Sequence, residues 1–392
     1  MTFTYTILGA GRQGTAAAYD MARWGQASRI LMADCNSQAA RQAAGRVNSL
    51  IGRAVAEPRR VDVTDQVALE RLLAETDAFL SAVPYYYNLP ITQAAIRAGA
   101  HMCDLGGNTD IARQQHALDE QAKAAGISII PNCGQVPGMG TSLMVYAMEL
   151  LDQATDVLMW DCGLPQNPRP PFNYLLTFHI AGLTNEYAEP AVFLRDGKIV
   201  EVEPISELEV VEFPEPIGPL EAFVTAGGID TMPWTYEGKL RTLQNKTLRY
   251  PGHYAQLRAF FDLGLWSLEP IRVGDVQVKP RDVFHALFEP KVTFPGDKDL
   301  IIVRVKAIGK KDGQDAEAVV EVIHYYDEET GFTAMEQGTG WSAAIVAEMM
   351  VRGQTPRGAG GVERMVPARP FVEALRERGF AVTEQVSPAA DR

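Results

Sequence analysis

The densest polar cluster in the chain is Lys246-Thr247-Leu248-Arg249-Tyr250-Pro251-Gly252-His253. A guanidinium can fork a carboxylate, and an imidazole can accept a proton near neutral pH. Arg249 and His253 are therefore candidates for binding an acid and moving a proton. Each also has a quieter role open to it. Arg249 can close an ordinary intrachain ion pair, and His253 can cap a helix beginning at Tyr254. Glu186 and Tyr187 in TNEYAEP, with Glu221 and Thr225 in EAFVTAGG, are further candidates among residues that mostly anchor loops. Tyr85-Tyr86-Tyr87 can wall a flat ligand or fill an interface.

A second constellation stands at the start of the chain. The β-rich run Thr4 to Leu8 leads into Gly9-Ala10-Gly11-Arg12-Gln13-Gly14, and TAAAYDMARW then reads as a helix. Strand, glycine turn and helix come in the order a pyrophosphate requires. Gly9 permits the tight turn, Gly11 lets the backbone approach the phosphates, and Gly14 lets the helix pack close. The helix N-terminus, entered through Arg12 and Gln13, supplies N–H groups and positive dipole. Arg12 can lie over the pyrophosphate or stay solvated. The next strand, Arg29 to Ala33, ends in Asp34, 20 residues after Gly14. An acid there accepts the ribose hydroxyls of NAD and repels a 2′-phosphate.

These residues need a scaffold, and the alternation continues. Val61 to Asp65 ends a strand and begins a helix, with Asp65 as N-cap of QVALERLLAE. Asp77 to Pro84, HMCDL and ISIIP read as buried strands; ITQAAIRAGA and IARQQHALDEQAKAAG read as helices. The pattern predicts an α/β Rossmann domain with a doubly wound parallel sheet over residues 1–140. Ligands in such sheets lie beyond the carboxyl ends of the strands. Cofactor contacts are accordingly expected from Asp62, Val63, Ala82, Val83, Pro84, Asp104 and Gly106, and substrate contacts from Tyr85 and Asn88.

Past Gly140 the character changes. TSLMVYAMELL reads as a helix, then VEVEPISELEVVEF, VGDVQVK, DLIIVRVKAIG and AEAVVEVIHYYDEETGFTAM as strands, with DVFHALFEP as a helix. Lys311-Asp312-Gly313 and Glu328-Glu329-Thr330-Gly331 are turn signals for hairpins. Residues 141–333 thus form a second, α+β domain with a mostly antiparallel sheet. GTGWSAAIVAEMMVRG and FVEALRERGF, within 334–386, are helices expected to return to the Rossmann domain, and the tail SPAADR to fray.

Composition sets the outer limits. At 392 residues two domains are natural, and 46% hydrophobic with 22% charged residues suits well-filled cores. The formal charge of −13, from 49 acidic and 36 basic residues, argues against nucleic acid. No apolar run approaches a membrane span, and the start has no charged leader, so no signal peptide or membrane is expected. Four cysteines without CxxC spacing suit a reducing cytoplasm. Six histidines forming no HxH or HxxxH pair predict no metal site.

Taken in order, ILGAGRQG, CDLGGN, IIPNCGQVPGM, GLTNEYAEPA, GPLEAFVTAGG, KTLRYPGHY and TGWSAAIVAEMMVRG resemble the saccharopine dehydrogenase-like family, most closely its L-lysine 6-dehydrogenase branch. The resemblance runs nearly end to end. It implies NAD-dependent oxidation of the lysine side-chain amine to 2-aminoadipate 6-semialdehyde, with loss of ammonia and closure to piperideine-6-carboxylate. It also implies a homodimer or higher oligomer joined through the second domain. Such a site needs a cation for the α-carboxylate, acceptors for the α-ammonium and a proton acceptor near Cε. Under the resemblance Arg249 takes the first role and His253, with Glu186 next, the last; Tyr187 and Thr225 help bind substrate. Relatives differ in reaction, so saccharopine-type or carboxyspermidine-type reductive coupling is the alternative. A non-catalytic NAD(H) sensor is another.

Overall fold

Apolar strands alternating with helices build a seven-stranded, wholly parallel sheet in the computed structural model, which describes residues 2–389. Its spatial order is Gly358–Ala359, Ser128–Ile130, His101–Asp104, Ala78–Ser81, Phe3–Leu8, Ala27–Asp34 and Ala56–Arg60. Chain order reverses beside Phe3–Leu8, which opens a crevice at the carboxyl ends of the central strands. Asp65 does cap the helix Gln66–Leu73, accepting from the Ala68 amide at 3.1 Å. The strand expected to end there lies earlier, at Ala56–Arg60. The helix expected across residues 111–126 is two, Thr109–His116 and Asp119–Ala124. Asp119, at the start of the second, accepts the amide of Ala359 at 2.8 Å, which ties the break to a distant edge strand.

The second domain is a nine-stranded mixed sheet, mostly antiparallel. Its spine is the hairpin Asp299–Lys311 with Gln314–Tyr325, closed through Asp312-Gly313 as the turn signal predicts. Asp299–Lys311 also pairs with Gln153–Pro165, so this apolar segment is an interior strand and not an edge. Gln153–Pro165 runs parallel to Thr242–Arg249. The second turn signal closes no hairpin. Asp327 accepts from the Glu329 amide and the Thr330 hydroxyl, and Thr333 with Glu336 forms a capping box that starts the helix Ala334–Glu336.

A π-helical turn, Gln337–Trp341, then runs into the helix Ser342–Val351, which packs on the first helix, Arg12–Arg23, and on the strands Ala78–Ser81 and His101–Asp104. Arg378 is buried between Asp20 (2.6 Å) and Glu348 (2.7 Å), fastening the C-terminal region to the Rossmann core. The chain does not end there. Val382–Pro388 adds a strand to the second sheet, beside Gln314–Tyr325, so Ser387 and Pro388 are paired where fraying was expected. The last three residues of that tail, 390–392, lie outside the described residues. Among those described, no helix is long and apolar enough to cross a membrane.

Candidate functional site

The first half of the site is the glycine turn. A Cβ on Gly9, whose φ is +99°, would lie 2.6 Å from the Ala82 carbonyl, and one on Gly14 would lie 2.1 Å from the Gly9 carbonyl. Packing therefore demands both glycines. Gly11 is different: it is exposed, and a Cβ there would meet nothing within 4 Å. The protein leaves open space at that position, in front of the N–H groups of the first turn of Arg12–Arg23. The residues present fit a dinucleotide, with its pyrophosphate at that turn.

Neighbouring side chains shape the crevice. Asp34 stands half-buried at its strand end; Oδ2 accepts the Ala10 amide at 2.9 Å and Oδ1 the Asn36 amide at 2.7 Å. Its carboxylate thus fixes the glycine turn while placing negative charge beside it. Arg12 pairs with Glu336 at 2.7 Å, and Gln13 lies against Gly340 of the π-turn. Ala82, Val83 and Pro84 form the opposite wall, with the Ala82 amide bonded to the Leu8 carbonyl at 2.7 Å. Asp62 is exposed and accepts the amide and hydroxyl of Thr64 on Oδ1, and Val63 packs in the adjoining apolar cluster.

The second half lies on the other sheet. Thr247 sits opposite Asp161 in the parallel register, so Asn245, Thr247 and Arg249 share one face with Asp161 and Gly163. Arg249 is buried. Its Nε donates to the Tyr187 hydroxyl at 2.8 Å, and its Nη1 to Thr247 Oγ1 at 2.6 Å and the Leu248 carbonyl at 2.8 Å. Nη2 has no hydrogen-bond partner among the described residues. The relay continues from the Tyr187 hydroxyl to His253 Nε2 at 3.1 Å and from His253 Nδ1 to the Phe172 carbonyl at 3.4 Å. Glu186 precedes Tyr187 on the helix Ile180–Ala188 and is half-buried. Burial pushes its carboxyl up to about 8 against the pull of Arg249, with Asp161 adding to the rise.

The two halves meet at the carboxyl end of the strand Ser128–Ile130. Gln135, in the loop beyond it, donates Nε2 to the Cys162 carbonyl at 3.1 Å, next to Asp161. A separate cleft of about 920 Å³ lies elsewhere. It lies at the far end of Arg12–Arg23, between Trp24, Trp341 and Tyr325, and includes neither the glycine turn nor the Arg249 cluster.

Comparison with known proteins fits this two-part site. The family model for the saccharopine dehydrogenase NADP binding domain matches residues 5–130, and that for the saccharopine dehydrogenase C-terminal domain matches residues 134–380. The chain belongs to the saccharopine dehydrogenase family. Saccharopine dehydrogenase [NADP(+), L-glutamate-forming] of Pyricularia oryzae is 27% identical over 221 residues, 54% of this chain and 48% of that protein. The chain thus spans about half the length of that curated relative. Carboxynorspermidine synthase of Vibrio cholerae is 24% identical over 83% of this chain and 81% of its own. The solved structure of apo saccharopine dehydrogenase (L-Glu forming) from Saccharomyces cerevisiae shares the fold, with a TM-score of 0.78 at 18% identity, covering 98% of this chain and 100% of that one.

In this saccharopine dehydrogenase family member several candidates serve other ends. Asp104 is fully buried; Oδ1 accepts the amides of Gly106 (2.8 Å) and Asn132 (2.9 Å), and Oδ2 accepts from Gln115 (2.9 Å). It braces a loop with both oxygens and presents no surface to the crevice. Gly106 makes room for Asn132, whose Oδ1 would lie 2.0 Å from an added Cβ. Asn88 is 2% exposed and accepts from the Ser81 hydroxyl at 2.8 Å, so it anchors the tyrosine turn and is closed to substrate. Tyr85 lies over Gly107. Thr225 is buried just before Ala226, whose amide bonds the Glu186 carbonyl. The helix at His253 is capped by Glu221, which accepts the amides of Gly252 (2.9 Å) and Tyr254 (2.8 Å). His253, with both nitrogens engaged and its pKa pushed down to about 3 by burial and by Arg249, is a neutral prop for Tyr187. It is not placed to act as the base. Sequence reasoning passed over Asp161 and Asn245; a lone acid inside the apolar run VLMWDCGLP was the available signal.

Proposed function

We propose that this chain is an NAD-dependent dehydrogenase that oxidises the side-chain amine of L-lysine. One observation carries the proposal. Among the described residues, Arg249 is the only cation acting on Glu186 and Asp161. Lysine brings one carboxylate and two amines, which suits one guanidinium facing two acids. Saccharopine brings three carboxylates and would crowd anions into a site with a single cation. Bound NAD would supply the hydride acceptor. Arg249 holds the α-carboxylate through its free Nη2, and Tyr187 with Thr247 keeps the guanidinium from turning. Glu186 takes a proton from the ε-ammonium, so that nitrogen can offer its lone pair when hydride leaves Cε. Water then hydrolyses the imine, and ammonia departs. The test is NADH formation with lysine, ornithine, saccharopine and polyamines at about pH 9, where more free amine is present. Lysine should give the highest kcat/KM. Turnover of saccharopine with lysine silent would favour the coupling class of reaction.

Asp34 underlies the choice of cofactor. Its carboxylate would lie beside the ribose and repel a 2′-phosphate, whereas Arg60, its partner in the neighbouring strand, could welcome one. NAD should therefore surpass NADP in kcat/KM by at least about tenfold, and Asp34→Ser should close most of that gap. An unmodified protein that works better with NADP would remove this role from Asp34. Assembly of two or more copies through the second domain belongs to the same proposal. The hairpin Ile271–Val273 with Val276–Val278 stands apart as a two-stranded sheet whose Ile271, Val273 and Val276 are exposed, an arrangement weak in water unless covered. Light scattering should give a mass above one chain, and a monomer at micromolar concentration would count against it.

A further inference from the structure

Whatever holds an amino acid's α-carboxylate must have an ammonium acceptor close by, because both groups hang from one Cα. The sheet provides one beside Arg249. Asp161 stands opposite Thr247, and Arg249 follows Thr247 by two residues on the same face, about 7 Å along the strand. Asn245, two residues before Thr247, is 2% exposed and hydrogen-bonds the Asp161 carboxylate. Each of these side chains keeps an oxygen that is buried without a donor: Asp161 Oδ1 and Asn245 Oδ1. Next on the face, Gly163 has no side chain, and the Met335 methyl fills the position a Cβ would take. The Thr177 hydroxyl, also buried and unpartnered, comes within 3.2 Å of where a Cβ on Gly163 would stand. Buried acceptors almost always have donors, so two unpartnered oxygens on neighbouring, hydrogen-bonded side chains point to a missing one. A cation with several N–H groups would satisfy the two side-chain oxygens and balance the carboxylate's charge.

We propose that Asp161 and Asn245 form the seat of the substrate's α-ammonium, so that the site reads the whole zwitterionic head of an α-amino acid. The choice of lysine as probe rests on the function proposed above. Asp161 has its pKa raised to about 7 by burial, as befits a carboxylate awaiting a cation. Gly228 leaves room for the Asn245 side chain, whose Nδ2 would lie 2.2 Å from a Cβ there.

The test compares L-lysine with 6-aminohexanoate, which lacks only the α-ammonium, in the unmodified protein and in Asp161→Asn. The unmodified protein should favour lysine in KM by about a hundredfold. Asp161→Asn should raise the lysine KM by roughly fiftyfold, hold kcat within about threefold and leave 6-aminohexanoate nearly unchanged. Equal changes for both compounds, or none, would overturn the seat. Asn245→Ala should show the same contrast at about tenfold, and it serves in place of Asp161→Asn should that variant not fold. Titration calorimetry with NADH present separates this from the reaction. Lysine binding that depends on Asp161 without turnover would keep the seat and overturn the proposed activity, whereas no lysine binding at all would overturn both.

Discussion

Glu186→Gln should lower kcat for lysine by about a hundredfold or more while leaving KM within a few-fold, the signature of a lost proton acceptor in an intact binding site. The size follows from the environment. Burial lifts the Glu186 carboxyl to about 8, so the side chain is mostly protonated at pH 6 and mostly ionised above pH 9. A base acts only when ionised. The unmodified enzyme should therefore gain kcat/KM as pH rises through about 8, on top of the slower gain from the ε-ammonium of free lysine, whose pKa is about 10.4. Glutamine keeps the shape and cannot take the proton, so the step near 8 should vanish and the gain tied to lysine itself should remain. A Gln variant with normal kcat, or with the step intact, would place the base elsewhere. His253→Ala offers the contrast. With its imidazole neutral and tied to Tyr187 and Phe172, His253 should act on KM through the Tyr187–Arg249 contact and only weakly on kcat.

What could be read from the chain alone divides by the distance over which each interaction acts. The glycine turn, the Asp65 cap and the Lys311-Asp312-Gly313 hairpin are local, and each lies where residue chemistry puts it. Asp104 was legible as a polar residue at a strand end but not in its partners, since Asn132 and Gln115 come from elements further on. A buried acid that braces backbone and one that meets a ligand look alike in sequence. Asp161 was hidden for a similar reason. Only the parallel register between Gln153–Pro165 and Thr242–Arg249 brings it to Thr247, 86 residues away. The Thr333–Glu336 capping box was visible as T-x-x-E but lay within a run that also alternates like a strand. Its capping bonds, together with the amides Asp299 accepts from Ala334 and Met335, decide for helix.

Arg249→Lys should raise the lysine KM by about tenfold to a hundredfold, with a smaller fall in kcat. The guanidinium is fixed at three points, by Tyr187, Thr247 and the Leu248 carbonyl, which leaves Nη2 for a carboxylate. A lysine ammonium has one nitrogen, and it cannot hold Tyr187 and Thr247 while also reaching the substrate. The charge nevertheless stays in the site, so the carboxyls of Glu186 and Asp161 keep their countercharge and the pH midpoint near 8 should move little. Arg249→Met removes shape and charge together. Arg249 is what pulls both carboxyls down against burial, so without it their pKa values must rise. The Met variant should therefore lose more affinity than the Lys variant, and its remaining activity should climb at a distinctly more alkaline pH. The two variants thus separate recognition of the carboxylate from tuning of the base. An unchanged KM in Arg249→Lys would take the carboxylate away from Arg249, and a Met variant whose midpoint stays near 8 would show that some other group sets the ionisation of Glu186.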